Sequence, residues 1–477
     1  MNCRLAAHVE LVERGDEFLL VSRTPLRILK VNRSLGLLLA GGRDGSITPD
    51  SPGMEKLLEQ LVAKGFLERL RSAVHAEADL PTISVVIPVK DRAEELRRCL
   101  ESVGRINYPQ ELVQVIVVDD GSSDSSASVA ASLGALVIPS GGTGRGPAAA
   151  RNVGARAAGG EILAFIDSDC TASEGWLSEL LPIFNNQKIA AVGGLVDGMC
   201  MDSAVDRYEA VMSSLSLGGR ELTGGSGDDT FYLPSCNLLV RRVHFLRAGG
   251  FNDLMHVGED VDLTWRLRDS GWTIAYLPVG RVYHEHRSSL RSFMSRRFDY
   301  GTSEGTLQRL HPSRHKRMVI PPMLALILAL CLLAPYAGWW LLAMGGALLV
   351  TDAAAVRARL HRSALPVRLL PIIVVRLRAL GSLGYYLSYH LVRYYTLPLI
   401  LVALISPGLS PLLAALFCCA AGVDHGVRKP RLSLVPFAGI YFLEQVAYGC
   451  GVFWGCVRGR TFASYRVEVL RQLEQTA

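Results

Sequence analysis

Between Ile83 and about Gly194 the chain alternates short, wholly apolar runs with stretches of helical spacing. The runs ISVVIPV, VQVIVVDD, ALVIPS, ILAFIDSD and IAAVGG are rich in β-branched residues and show no polar alternation. That is the pattern of strands buried on both faces of a mainly parallel sheet. AEELRRCLESV and AAARNVGARAA, between them, carry apolar residues at helical spacing. Together they predict a doubly wound α/β domain, with ligands bound beyond the carboxyl ends of the strands, where Asp119–Asp120 and Asp167–Asp169 fall. Ahead of it, residues 1 to about 75 hold a strand-like FLLVSR, then RILKVNRSLGLLLAGG and MEKLLEQLVAKGFLERL, a helical pattern closing near a glycine turn. They predict a compact winged-helix-like module, joined by the polar linker AEADLP.

After about Met318 the pattern changes again, to four apolar stretches near residues 318–334, 337–354, 393–406 and 409–423, each short for a full span. The breaks APYAGWW and SPGLS divide them into two pairs, and the outer flanks HPSRHKR, RARLHR and GVRKPR are basic. Positive charge stays on the cytosolic side, so two hairpins with both ends in the cytosol are expected. Between the pairs, VRLLPIIVVRLRALGSLGYYLSYHLVRYY mixes Arg, Tyr and apolar residues as an interfacial helix does. GIYFLEQVAYGCGVFWGCV reads equally as a membrane or a buried segment.

At 477 residues the chain is long for one domain, and three parts are expected: 1–75, 82–300 and 301–477. A mean hydropathy of +0.26, with the excess after Met318, marks the last part as membrane-associated. Acids in MNCRLAAHVELVERGDEFLL interrupt any signal-peptide core, so a cell-membrane protein with its catalytic domain cytoplasmic is expected. Ten cysteines without CxxC or Cys/His spacing, two of them Cys418 and Cys419 in an apolar run, argue for free, buried thiols over disulfides or zinc. The net charge of +6 comes largely from arginines beside apolar segments, where anionic headgroups are the natural partner and nucleic acid is not required.

The acids carry the candidate chemistry. In FIDSD, a period of two would put Asp167 and Asp169 on one strand face and Ser168 on the other, with hard oxygens suited to Mg²⁺ or Mn²⁺. Such pairs are also common in loops and caps. VIVVDDGSSD ends another strand with Asp119 and Asp120, able to accept from a base N–H or ribose hydroxyls, while Asp124 reads as a helix cap. GGTGRGPAAARN leads a Gly-rich loop into a helix at Pro147, placing Arg145 and Arg151 to meet phosphate or to sit solvated. HVGEDVDLTWRLRDSGW sets Glu259, Asp260 and Asp262 before an amphipathic helix. Clustered acids raise one another's proton affinity, so one can serve as general base near neutral pH, although a helix start alone explains them. His284 and His286 in RVYHEHRSS can add an imidazole to a metal site or stand idle.

SVVIPVKDR, VIVVDDGSSD, AAARNVGARAAGGEILAFIDSD and GGFNDLMHVGEDVDLTWRL, in this order over about 220 residues, resemble the family 2 inverting glycosyltransferases. The resemblance implies a GT-A, Rossmann-like nucleotide-diphospho-sugar transferase domain over residues 82–300. It implies that Pro88, Asp119, Asp120, Arg145, Arg151, Asp167 and Ser168 bind the donor, that Asp167, Asp169 and His284 hold the metal diphosphate, and that Asp260 is the base. Cys236, Asn237, Glu259, Trp265 and Arg266 would form the acceptor side. The QxxRW signature of processive members is absent, and RRFDYG, with Arg296, Arg297 and Tyr300, stands roughly in its place. Residues 1–75 are similar to PqqD-like peptide-binding modules, and the fused arrangement resembles the glycosyltransferases of mycofactocin systems. That resemblance implies a UDP-sugar donor, with glucose as the sugar. It also implies a peptide-derived redox-cofactor precursor as acceptor, extended as a short β-linked oligosaccharide. A lipid-linked or cell-wall polysaccharide transferase is the enzymatic alternative, and a catalytically dead membrane scaffold the non-enzymatic one.

Overall fold

In the first eighty residues, strands β1 (Asn2–Leu5), β2 (Val9–Arg14), β3 (Glu17–Arg23), β4 (Leu26–Val31) and β5 (Leu67–Leu70) surround helices α1 (Arg33–Gly41) and α2 (Pro52–Ala63). β2, β3 and β4 form an antiparallel sheet, while β1 pairs with β5. Phe18, Leu20, Leu35, Leu39, Leu58 and Phe66 close one apolar core. Gly36 is required there, because a side chain would run into the Phe18 ring. α2 starts on Ser51, whose hydroxyl accepts from Met54 N at 3.3 Å, with Pro52 in the first turn. The computed structural model describes residues 2–6, 8–14, 17–23, 26–41, 47–49, 51–70, 80–142, 144–225, 229–314, 316–362 and 368–470. Most of the AEADLP linker lies outside them. Met1–Leu80 and Pro81–Ala477 are two separate compact units.

The second unit opens with β6 (Ile83–Val89), α3 (Ala93–Val103), β7 (Val113–Asp119), α4 (Ser126–Ser132), β8 (Leu136–Pro139), α5 (Pro147–Ala157) and β9 (Ile162–Ile166). It continues through β10 (Cys170–Ala172), α6 (Trp176–Leu180), β11 (Ile189–Gly193), β12 (Val196–Gly198), α7 (Ala204–Met212), β13 (Leu222–Gly224) and β14 (Asn237–Arg241). Then come α8 (Arg242–Arg247), α9 (Glu259–Asp269), β15 (Thr273–Tyr276), β16 (Val282–His284) and α10 (Leu290–Leu310). The main sheet runs β13-β15-β11-β14-β9-β6-β7-β8. β6, β7, β8 and β9 are parallel, as the unalternating runs require, whereas β14 enters antiparallel between β9 and β11. β6, β9 and β11 are buried at every position. A smaller sheet, β10-β16-β12, crosses beside this frame. Asp124 caps two places at once, accepting from Ser126 N at 2.9 Å and from Ala93 N, at the start of α3, at 3.0 Å.

The expected boundary at residue 300 falls inside α10, which packs along the chain's last long helix. Beyond it lie β17 (Lys316–Val319), α11 (Pro322–Ala337), α12 (Trp340–Arg362), α13 (Leu369–Tyr394), α14 (Thr396–Ile405), α15 (Ser410–Arg428), α16 (Leu434–Gly459) and β18 (Val467–Leu470). β18 pairs in parallel with β17. By length and apolarity, α12, α13, α16 and the segment Pro407–Arg428 can each cross a membrane. The stretch read as an interfacial helix is thus α13, 26 residues long, and the stretch near 393–406 yields only the ten-residue α14, too short to span. Arginine and tyrosine interrupt the apolarity of α13 without shortening the helix. α16 is largely buried within the protein. None of the ten cysteines is in a disulfide, and Cys418, expected buried, is exposed on α15.

Candidate active site

β9 stops at Ile166, and Asp167, Ser168 and Asp169 form a turn in which Cys170 N donates to Asp167 O at 3.0 Å. The period-two expectation therefore fails: these are turn residues, not successive positions of a strand. Asp167 is paired with Arg151 of α5, and Asp169 with Arg92. After the turn, β10 pairs with β16 so that Cys170 faces His284. This register brings Asp169 Oδ1 within 3.6 Å of His284 Nε2. One ligand atom from each of Asp169, Cys170 and His284 lies within 4.8 Å of the others. The carboxylate and imidazole suit Mg²⁺ or Mn²⁺. Burial, and then its neighbour Cys236, push the Cys170 thiol well up, so sulfur stays protonated and is a poor donor. Burial acts against ionised Asp169, but His284 and Arg92 outweigh it and hold the carboxyl below its ordinary value. His286 Nδ1 sits 3.1 Å from His284 Nδ1. Burial, then His284, lower His286 to about 3, leaving it a neutral orienting partner.

Pro147 opens α5 after Gly146, whose φ of 92° needs glycine. One turn along, Arg151 is 3% exposed and bridges Asp167 and Glu259, the latter at 2.9 Å. Burial opposes its charge, yet Asp167 and Glu259 prevail and raise its proton affinity. α9 starts after left-handed Gly258 (φ 82°), so Glu259, Asp260 and Asp262 stand inside its first turn rather than before it. Asp260 Oδ1 accepts from Val261 N at 2.8 Å and Oδ2 from Ser235 N at 3.2 Å. Burial, then the Glu259 charge, push the Asp260 carboxyl up to about 7. A carboxylate poised there can take a proton from a hydroxyl and release it again near neutral pH.

These groups face one cavity of about 880 Å³. Of the residues singled out in the sequence, Pro88, Asp120, Arg151, Asp167, Ser168, Asp169, Cys236, Glu259, Asp260, Trp265 and His284 line it. Four others are turned to structural tasks. Asp119 accepts from Ser122 N at 2.9 Å, and the Arg145 guanidinium donates to Ser140 O at 2.8 Å. Asn237, fully buried, accepts from Trp176 Nε1 and donates to Leu195 O and Gly280 O. Arg266 ties Asp262 to the carbonyls of Ala248 and Gly250. Asp120 reaches the cavity, but its carboxylate holds the Gly-rich loop through Ser140 Oγ (2.6 Å), Arg145 N (3.0 Å) and Gly146 N (2.8 Å). Sequence reasoning passed over Arg92, although it sits in the VKDR of the first motif. It also passed over Glu209 and Glu304, and Tyr389, Arg393 and Tyr448 from the last helices, which no local pattern marks.

Residues 84–245 match the family described as Glycosyl transferase family 2. Over 478 aligned residues the chain is 30% identical to the pre-mycofactocin glycosyltransferases of two Mycobacterium tuberculosis strains, CDC 1551 / Oshkosh and ATCC 25618 / H37Rv, with 95% of each chain covered. It is also 30% identical over 206 residues to glycosyltransferase AglE of Haloferax volcanii, covering 41% of this chain and 64% of AglE. Among solved structures, the mannosyltransferase PcManGT from Pyrobaculum calidifontis, in complex with GDP-Man and Mn²⁺, aligns with a TM-score of 0.40 at 20% identity, covering 67% of this chain and 94% of that one.

Proposed function

The chain belongs to glycosyltransferase family 2, and from that premise we propose that it transfers a hexose from a UDP-sugar to a peptide-derived small molecule with inversion. The acceptor hydroxyl attacks the anomeric carbon as its proton passes to Asp260, and the bond from that carbon to the diphosphate oxygen breaks, releasing UDP. Asp169 and His284, with Asp167 beside them, would hold Mg²⁺ or Mn²⁺, which when bound offsets charge on the departing diphosphate. Arg92 and Arg151, paired with those acids, line the same cavity and would add positive charge beside the diphosphate. The observation that carries this reading is a single cavity lined both by the Asp169–His284 pair and by a carboxyl held near pH 7.

The acceptor class follows from the full-length likeness to the pre-mycofactocin enzymes. Glucose as the sugar and a short β-linked chain as the product extend the same likeness. The first eighty residues would act as a PqqD-like module delivering the peptide-derived acceptor, and the apolar helices would hold the catalytic domain at the cytoplasmic face of the membrane. A lipid-linked acceptor is the second reading, favoured by the four helices that are long and apolar enough to cross a membrane. The test is UDP release from UDP-glucose by the full-length protein with each acceptor class. Release should need the peptide-derived acceptor, stop with EDTA and return with Mn²⁺. Release only with a polyprenyl-phosphate sugar would move the assignment to the second reading, and release indifferent to EDTA would remove the metal.

A further inference from the structure

Part of the cavity wall comes from helices far beyond the segment that matches the family. α13 contributes Tyr389, His390, Arg393 and Tyr394, and α16 contributes Tyr448. Every one of these is aromatic or cationic and none is aliphatic, so this wall suits a flat ring with a polar rim better than a lipid tail.

The wall is held rigidly. Glu304 of α10 accepts from the Tyr448 hydroxyl at 2.6 Å, from the Tyr394 hydroxyl at 3.1 Å and from Lys316 Nζ at 2.9 Å. Arg393 lies 3.7 Å from the centroid of the Tyr448 ring and donates to Glu444 at 3.3 Å and Gln445 at 3.2 Å. Two positions are held more loosely. The Tyr389 ring lies 6.0 Å from the Arg393 guanidinium and 6.1 Å from the Tyr385 ring, and His390, though its ring meets that of Tyr394 at 4.9 Å, keeps a buried Nε2 with no hydrogen-bond partner among the described residues. A buried nitrogen without a partner is costly, so His390 Nε2 gains from a polar group that a ligand brings into the cavity. Tyr232 links this wall to the base: its phenol, bonded to Ser214 O at 3.2 Å, is raised by burial, then by Asp260 and Tyr300, and lowered by Arg393. It thus stands within electrostatic reach of both.

We propose that this wall is the acceptor subsite, with Tyr389 stacking on a flat ring face of the acceptor and His390 meeting a hydroxyl on its rim. The assignment rests on the transferase reading. Two rings offer that chemistry: an aromatic ring of the unmodified acceptor, or the apolar face of a sugar already attached to it.

The experiment is equilibrium binding to the full-length protein in lipid nanodiscs, with UDP and Mn²⁺ present. Three probes separate the sources: 4-hydroxyphenylacetamide carries the ring alone, methyl β-D-glucoside the sugar alone, and phenyl β-D-glucoside both. Phenyl glucoside should bind, and whichever single-face probe competes with it identifies the source. Tyr389→Ala should weaken that binding about tenfold, the scale of a lost stack, while Tyr389→Phe stays within about twofold and UDP binds all three proteins alike. If Tyr389→Ala loses UDP as well and so has misfolded, Tyr389→Leu, apolar but not flat, takes its place with the same expectation. A wild-type protein that binds UDP but no probe, or a Tyr389→Ala protein that binds probe normally, overturns the subsite alone. Failure of the wild type to bind UDP at all overturns the transferase reading with it.

Discussion

The carboxyl of Asp260 answers two demands that pull apart, since a base must be ionised to act but burial beside Glu259 opposes ionisation. Held near 7 in the folded protein against an ordinary 3.8, its proton stabilises the fold. That contribution is complete below about pH 4 and is lost as pH rises through 7, the same interval in which the base becomes available. Transfer rate should therefore climb with pH and level off above about 7 in a pH–rate profile. Asp260→Asn should keep donor affinity and lose transfer by roughly two to four orders of magnitude. Its thermal midpoint should exceed the wild type's at pH 8 and not at pH 4. A variant that still turns over would remove Asp260 from its role, and equal midpoints at pH 8 would remove the account of its carboxyl. Asp120, Asp167 and Asp169 were legible in the sequence because they follow apolar runs, and Glu259 and Asp260 because they cluster at the start of an amphipathic helix. Their pairing with Arg92, Arg151 and His284 was not, because it depends on a turn at Asp167 and on the β10–β16 register, neither of which is written in spacing.

At the scale of elements, α10 and α16 approach so closely that only glycine fits between them. A side chain at Gly301 would meet the Tyr448 carbonyl, one at Gly451 the Phe298 carbonyl, and one at Gly455 the Thr302 carbonyl. Because α16 carries Tyr448 into the cavity, this seam also sets the position of the wall. Gly451→Ala should cost about 1–3 kcal/mol by overpacking, despite the helix preference for alanine. Gly439→Ala, on the same helix with nothing within 4 Å of the added carbon, should cost little or nothing. Chemical or thermal unfolding of the two variants decides it, and equal stabilities would mean that the seam relaxes without strain. α16 was ambiguous in the sequence for a physical reason: Glu444 and Gln445 break its apolarity, and the residues that meet their oxygens, Arg297 and Arg393, lie far away in the chain. Five strands of the main sheet, β6, β7, β8, β9 and β11, were legible as unbroken apolar runs, whereas β13, β14 and β15, the first and last of them only three and four residues long, were not read. A helix that buries charges against distant partners leaves no such local mark.

For the molecule as a whole, the deciding feature is a knot of charge shared by the catalytic domain and the last helices. Arg297 of α10, 2% exposed, pairs with Glu209 of α7 and, at 3.3 Å, with Glu444 of α16, which Arg393 of α13 also contacts at 3.3 Å. The Tyr208 hydroxyl donates to Glu444 at 2.5 Å. Burial, and then the Glu444 charge, raise Glu209 to about 7 against the pull of Arg297. Breaking such a set by removing one partner strands the others in an apolar surround, typically at a cost of roughly 3–5 kcal/mol. A chain ending at Leu310 would strand Arg297 and expose the glycine face of α10 together with the Phe293–Tyr208 cluster that Phe437 and Tyr441 cover. That chain should fail to fold cooperatively and should not bind UDP, although it contains every residue of the family match. A chain lacking residues 1–80, by contrast, loses a separate compact unit with its own core and should keep both cooperative unfolding and UDP affinity. Calorimetry and UDP titration of the two truncations test the contrast directly. A folded, UDP-binding protein ending at Leu310 would show that the last helices are an attachment rather than part of the catalytic unit.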